Sequence, residues 1–177
     1  EIPKNVAGLM LAAIISDTLL FRSPTCTKTD KEIALELASI AGVDAEEFGL
    51  AMFKAGTSLV GKSIEEIYNQ DYKAFNIGDA KVGIAQVNTM DIDGFAPLKA
   101  EMLEYMENLC VENGFDTAVL LLTDVINATS EVFVAGTHPE YVENAFNVQL
   151  VEHQANLPGV ISRKKQVVPA ITRAINA

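Results

Sequence analysis

The stretch Gly56-Thr57-Ser58-Leu59-Val60-Gly61-Lys62-Ser63 holds two glycines, three hydroxyl side chains and no strong hydrophobic period, and it limits what the chain can fold into. Such a segment reads as a linker, so no single element runs through it. The 177 residues are enough for one ordinary core or two small units, and 49% hydrophobic with 21% charged residues is a globular composition. A boundary between Gly56 and Ser63 selects the two-unit arrangement.

Ahead of the boundary the pattern is helical. Residues 4 to 16 read as a buried helix with apolar residues on nearly every side, ending at Ser16-Asp17-Thr18, and Ser23-Pro24-Thr25 marks a loop. Thr29 with Glu32 has capping-box spacing for a second helix that carries Ile33, Leu35, Leu37 and Ile40 and ends at Gly42. Asp44 with Glu47 repeats the spacing for a third, carrying Phe48, Leu50, Met52 and Phe53, with a left-handed cap expected at Gly56.

Beyond the boundary helices and strands mix. Ser63 and Glu66 cap a short helix, and Lys73 to Ile77 and Val82 to Thr89 form a hairpin around Gly78-Asp79. Residues 97 to 112 form a helix with Pro97 in its first turn and Leu98, Met102, Met106 and Leu109 on one face. Strands follow at Ala118 to Leu122 and Val132 to Ala135, turning at Asn127. A helix over 139 to 146, a strand near 148 to 151 and a last helix ending near Ile175 complete an α+β pattern.

Charge narrows the function. Against 13 Lys and Arg stand 24 Asp and Glu, a formal net charge of -11 that argues against non-specific binding to nucleic acid or anionic lipid. The apolar run from Val6 to Ile15 is about half as long as a bilayer-spanning helix, and neither a secretory signal nor a membrane anchor is expected. Cys26 and Cys110 match no zinc or redox spacing, which suits a reducing cytoplasm.

In this acidic chain, Arg163-Lys164-Lys165 are three adjacent cations, and such a run is easiest to understand with a small anion such as phosphate against it. A solvated helix start is the bland alternative. Ser162 can cap a helix and leave free N–H groups beside the cations. Pro169 also suits a first turn, so a helix start near Val168 with the cations on a loop is equally open. Asp17, between apolar segments, must cap, pair or bind metal, and one Asp makes no metal site alone. Lys73 reads as an ordinary edge lysine. His138 and His153 have no ligand-spaced partners, and Asp91 and Asp93 read as a turn.

Taken in order, Ala7-Gly8-Leu9-Met10, then Ile15-Ser16-Asp17-Thr18-Leu19-Leu20-Phe21-Arg22-Ser23-Pro24-Thr25-Cys26-Thr27, Lys54-Ala55-Gly56, Ile84-Ala85-Gln86-Val87-Asn88-Thr89 and Ser162 to Pro169 resemble family II manganese-dependent inorganic pyrophosphatases of the DHH phosphoesterase superfamily. The resemblance implies that residues 1–56 are the closing piece of an α/β DHH domain, 57–63 a hinge, and 64–177 a substrate-binding DHHA2 domain with a mixed sheet and packed helices. It puts Asp17 on a metal-ligand position, and Lys73, Arg163 and Lys164 on phosphate-holding ones, with Arg163 and Lys164 as the catalytic cations. Lys165 matches the motif without an assigned role.

The implied reaction is hydrolysis of pyrophosphate to two phosphates with Mn²⁺ or Co²⁺, and Mg²⁺ accompanying the substrate, in an enzyme that dimerises through its DHH domain. The Asp-His-His motif and the other metal ligands of that family do not occur in this sequence. The chain by itself is therefore expected to be inactive, as a C-terminal portion of the enzyme. A non-catalytic phosphate-binding module and an exopolyphosphatase-type DHH phosphoesterase are the alternatives.

Overall fold

A computed structural model of the chain describes residues 2–177. Its contacts divide into two compact units, one ending at Ser58 and one starting at Leu59.

The first unit is helical: α1 (Lys4–Thr18), α2 (Lys28–Ala41) and α3 (Ala45–Gly56). Within the described residues α1 buries only one stripe, Ala7, Leu11, Ile15 and Thr18, whereas Leu9 is 72% exposed. The expectation of a helix buried all round is corrected accordingly. On α2, likewise, Ala34, Leu37 and Ala38 are buried while Ile33 and Leu35 are exposed.

The cap of α2 is Thr27, not Thr29. Thr27 Oγ1 accepts from Asp30 N at 3.2 Å and Asp30 Oδ2 accepts from Thr27 N at 2.7 Å, so a reciprocal box forms two residues earlier than Thr29 and Glu32 would place it. The shorter Asp serves at this spacing as well as a Glu. Asp44 caps α3 by accepting from both Glu46 N and Glu47 N at 2.9 Å. The left-handed cap occurs at Gly42, with φ of 75°. Gly56 stays helical and Thr57 ends α3 instead, its hydroxyl donating to Phe53 O at 2.7 Å.

After α1 the chain turns through Leu19, Leu20 and Phe21, all at positive φ (46°, 52° and 65°), a conformation disfavoured by about 1–2 kcal/mol per residue for side chains of this kind. Burial of Leu19 and Leu20 offsets this. Thr18 assists, because its hydroxyl donates to Ile14 O and accepts from Phe21 N.

The second unit holds α4 (Ile64–Tyr68), β1 (Tyr72–Ile77), β2 (Ala80–Thr89), α5 (Lys99–Asn113), β3 (Thr117–Asp124), β4 (Thr129–Gly136), α6 (Glu140–Phe146), β5 (Gln154–Pro158) and α7 (Val168–Ile175). The strands lie in the order β1-β2-β3-β4-β5, with β2 and β3 parallel and the other neighbours antiparallel. The single parallel pair requires a crossover, which α5 provides. The α+β class with a mixed sheet thus holds.

Every residue of β3 is buried, as a central strand covered on both faces must be. Alternation then sorts the side chains. Ala85, Val87, Leu120, Leu122 and Phe133 pack with Ile67, Phe95, Met102 and Met106 on one face. Ile84, Val119, Leu121, Val132 and Val134 pack with Val142, Val167 and Ile171 on the other.

Residues 148–151 are not a strand. Val151 makes one isolated bridge to Gln154, the chain reverses through Glu152 and His153 at positive φ, and the edge strand is β5. Pro158 is tolerated at the end of this edge.

Candidate functional site

Between β5 and α7 the residues Arg163–Val167 form a π-helical turn that runs directly into α7. Val167 N donates to Ser162 O at 3.2 Å, five residues back, and Ser162 Oγ accepts from Lys165 N at 3.2 Å. Ser162 therefore caps this wide turn, and Pro169 sits in the first turn of the α-helix behind it. Both signals for a helix start are used. Gln166 secures the entry: its Oε1 accepts from Ile161 N at 2.9 Å and Ser162 N at 3.0 Å, and its Nε2 donates to Gly159 O at 2.8 Å.

The three cations do not share one environment. Lys164 and Lys165 are exposed, whereas Arg163 is buried. Arg163 N donates to Gln86 Oε1 at 3.0 Å, and Gln86 Nε2 donates to Ile161 O and to Thr123 Oγ1, both at 3.0 Å. Ser130 Oγ donates to Val160 O at 2.6 Å, so the Thr123 hydroxyl, 2.9 Å away, donates to Ser130. A directed polar chain thereby ties β2, β3 and β4 to the backbone just ahead of the turn.

The Arg163 guanidinium reaches β2 and the residue just ahead of β1. Its Nη2 donates to Asp71 Oδ1 at 2.6 Å, and its Nη1 donates to the Asp71 carbonyl and to Ile84 O at 3.3 Å. A buried guanidinium needs both a counter-charge and acceptors, and this pocket supplies them. Lys73, exposed, lies directly opposite Ile84 across the β1–β2 ladder and so shares its sheet face. Val167, from the cationic turn, packs on that same face. The structure thus brings Lys73, Arg163 and Lys164 to one corner of the sheet.

Asp17 lies in the other unit, exposed, in the last turn of α1, and its carbonyl accepts from Thr25 Oγ1 at 2.9 Å. Among the described residues no three His, Cys, Asp or Glu side chains come together as a metal site. A two-metal centre needs several such donors, so the donor set described does not fit one, and no chemical step is derived through it. His138 Nδ1 lies 2.7 Å from Glu140 Oε1, and this hydrogen bond lowers the Glu140 pKa. His153 Nδ1 lies 3.2 Å from Val134 O. Neither histidine has a catalytic arrangement. Asp91 forms the expected turn, accepting from Gly94 N at 2.9 Å.

Gln86, Gln166 and Asp71 escaped sequence reasoning. The glutamines lie inside two of the resembling segments, but nothing in an isolated Gln announces which backbone it will hold. Asp71 carried no signal.

A mixed sheet with helices on both faces and a buried arginine beside two exposed lysines defines an α+β domain with a cationic corner. The chain belongs to the DHHA2 domain family, whose model matches residues 50–174. It is 58% identical over 172 residues to a Clostridium perfringens protein named "Cobalt-dependent inorganic pyrophosphatase", matching 97% of this chain and 31% of that protein. With two proteins named "Probable manganese-dependent inorganic pyrophosphatase", from Clostridium acetobutylicum and Lactococcus lactis, it shares 53% and 48% identity, over 99% of this chain and 56% of each. A solved Methanococcus jannaschii structure, provisionally assigned to family II inorganic pyrophosphatases, matches with a TM-score of 0.90 at 44% identity. That match covers all of this chain and 58% of the solved one. The chain thus spans 31% to 58% of the length of these relatives. Among the described residues no helix is long and apolar enough to cross a membrane.

Proposed function

We propose that this chain is the C-terminal, substrate-binding portion of a manganese- or cobalt-dependent inorganic pyrophosphatase, with residues 1–56 closing a DHH domain, 57–63 as hinge and 64–177 as the DHHA2 domain. The observation that supports it best is the convergence of Arg163, Lys164 and Lys73 at one corner of the sheet in a chain of net charge -11. Relatives named as pyrophosphatases along 97% or more of this chain point the same way.

In this reading Lys73 and Lys164 act as mobile point charges, and Arg163 as a planar donor, on a pyrophosphate that arrives with Mg²⁺. Their role is to hold the two phosphoryl groups in place and to neutralise the charge that builds on the departing phosphate. Of the metal ligands that the resemblance implies, this chain offers Asp17 alone. Free Cys26 and Cys110 fit a reducing cytoplasm, and the complete enzyme is read as a homodimer acting on small phosphates and not on nucleic acid.

Calorimetric titration of the 177-residue chain with pyrophosphate, beside a phosphate-release assay with Mn²⁺, tests the assignment. Binding without turnover is expected. The absence of binding would remove the substrate role from this corner. A scan over polyphosphate lengths separates a pyrophosphatase from an exopolyphosphatase-type enzyme, which would prefer the longer chains.

A further inference from the structure

A guanidinium has five N–H donors in a fixed plane, and the acceptors around Arg163 occupy only some of them. Nη1 donates to the Asp71 carbonyl and to Ile84 O, which uses both of its hydrogens. Nη2 donates once, to Asp71 Oδ1. Among the described residues Nε has no acceptor, and it is not sealed from solvent. Because Asp71 takes one hydrogen from each terminal nitrogen, it grips the end of the fork. The donors left over are Nε–H and the second Nη2 hydrogen, a parallel pair along the side of the plane. Two parallel N–H groups are what a phosphate accepts in bidentate fashion.

We propose that Asp71 is a positioning residue for pyrophosphate binding: it holds the end of the Arg163 fork so that the side pair faces the phosphate. The inference rests on the phosphate role proposed for Arg163 above. A carboxylate beside an anion site would ordinarily repel the ligand. Here its charge is opposed at 2.6 Å by the guanidinium, and its own side chain is 55% exposed, so water and salt weaken what reaches the substrate. What remains is orientation. Asp71 lies two residues ahead of Lys73, so the chain that presents one cation also aims the other.

The test uses the full-length, manganese-loaded enzyme carrying this segment, with Asp71→Ala, Asp71→Asn, Arg163→Ala and the Asp71→Ala/Arg163→Ala pair. KM and kcat for pyrophosphate, the inhibition constant of inorganic phosphate and Tm are measured for each. Asp71→Ala is expected to raise KM and the phosphate inhibition constant about tenfold with a smaller change in kcat. Asp71→Asn, which keeps an acceptor oxygen, recovers most of both, and Asp71→Ala adds nothing once Arg163 is gone.

A fall in KM for Asp71→Ala would overturn the proposal, showing the carboxylate to be a competitor of the substrate. An unchanged KM, or an effect that survives in the Arg163→Ala background, would overturn it as well. If Arg163→Ala itself leaves KM, kcat and phosphate inhibition unaltered, the phosphate role of Arg163 fails first and the positioning role falls with it. Asp71 is half exposed on a turn, and Asp71→Asn gives a second reading should the alanine variant fold poorly.

Discussion

The backbone N–H of Arg163 donates to Oε1 of Gln86 at 3.0 Å, joining residues 77 positions apart in the chain. Since Gln86 Nε2 also holds Ile161 O and Thr123 Oγ1, one amide fixes the cationic turn to the middle of the sheet. Gln86→Ala is expected to leave these buried groups without partners and to lower stability by about 1–3 kcal/mol. Denaturant unfolding of the 177-residue chain measures this; a loss below about 0.5 kcal/mol would mean that solvent replaces the amide.

Arg163→Ala in the full-length enzyme is expected to reduce kcat/KM for pyrophosphate by two or more orders of magnitude on the scale of lost charge-stabilising donors, with bound manganese unchanged. Metal analysis beside steady-state kinetics checks both halves. Near-normal turnover would remove Arg163 from the catalytic set.

Gly49→Ala is expected to destabilise the helical unit. An added Cβ would run into Leu20 Cδ1 and press on Ile15, and Leu20 is buried in the left-handed turn after α1. Overpacking of this kind typically costs about 1–3 kcal/mol. Hydrogen exchange of the α1 and α3 amides should accelerate, while β3 amides in the other unit keep their protection.

The Thr27–Asp30 box predicts an acid dependence. Hydrogen bonds from the Thr27 backbone and side chain lower the Asp30 pKa below its ordinary 3.8. A depressed carboxylate contributes stability above its unfolded pKa and loses it as pH falls through the folded value. The contribution of Asp30 should therefore be whole at neutral pH and fade below about pH 4. Asp30→Asn should lower neutral-pH stability and flatten the acid limb of the Tm profile. An acid limb with unchanged slope would show that the carboxylate carries none of it.

Much of the fold was legible because local chemistry decided it. The Ser63–Glu66 box, the Gly78-Asp79 turn and the unbroken apolar run from Ala118 to Leu122 each answer to neighbours a few residues away. β5 was missed because Gln154-Ala155-Asn156-Leu157-Pro158 has no β-branched residue and no alternation; its pairing with β4, a tertiary contact, makes it a strand. At α2 two Thr–acid pairs have the same spacing, and Thr27 with Asp30 is the pair that forms the box.

The candidate site was legible in part. Adjacent cations in an acidic chain attract notice by charge alone, but the burial of Arg163 against solvated Lys164 and Lys165 depends on Asp71 and Ile84, some 80 to 90 residues away. Lys73 looked ordinary because its significance lies in its neighbour across the ladder, Ile84, whose carbonyl the Arg163 side chain reaches.

The π-helical turn at Arg163–Val167 holds one residue more than an α-helical path between the same ends would need, and each helical residue is worth about 100° of rotation. Shortening the turn by a single residue would let it close as an ordinary helix while swinging Lys164 about a quarter turn relative to Val167 and Ile171, which are fixed in the core. The segment thus behaves as a spacer of set length, and it should tolerate almost no insertion or deletion.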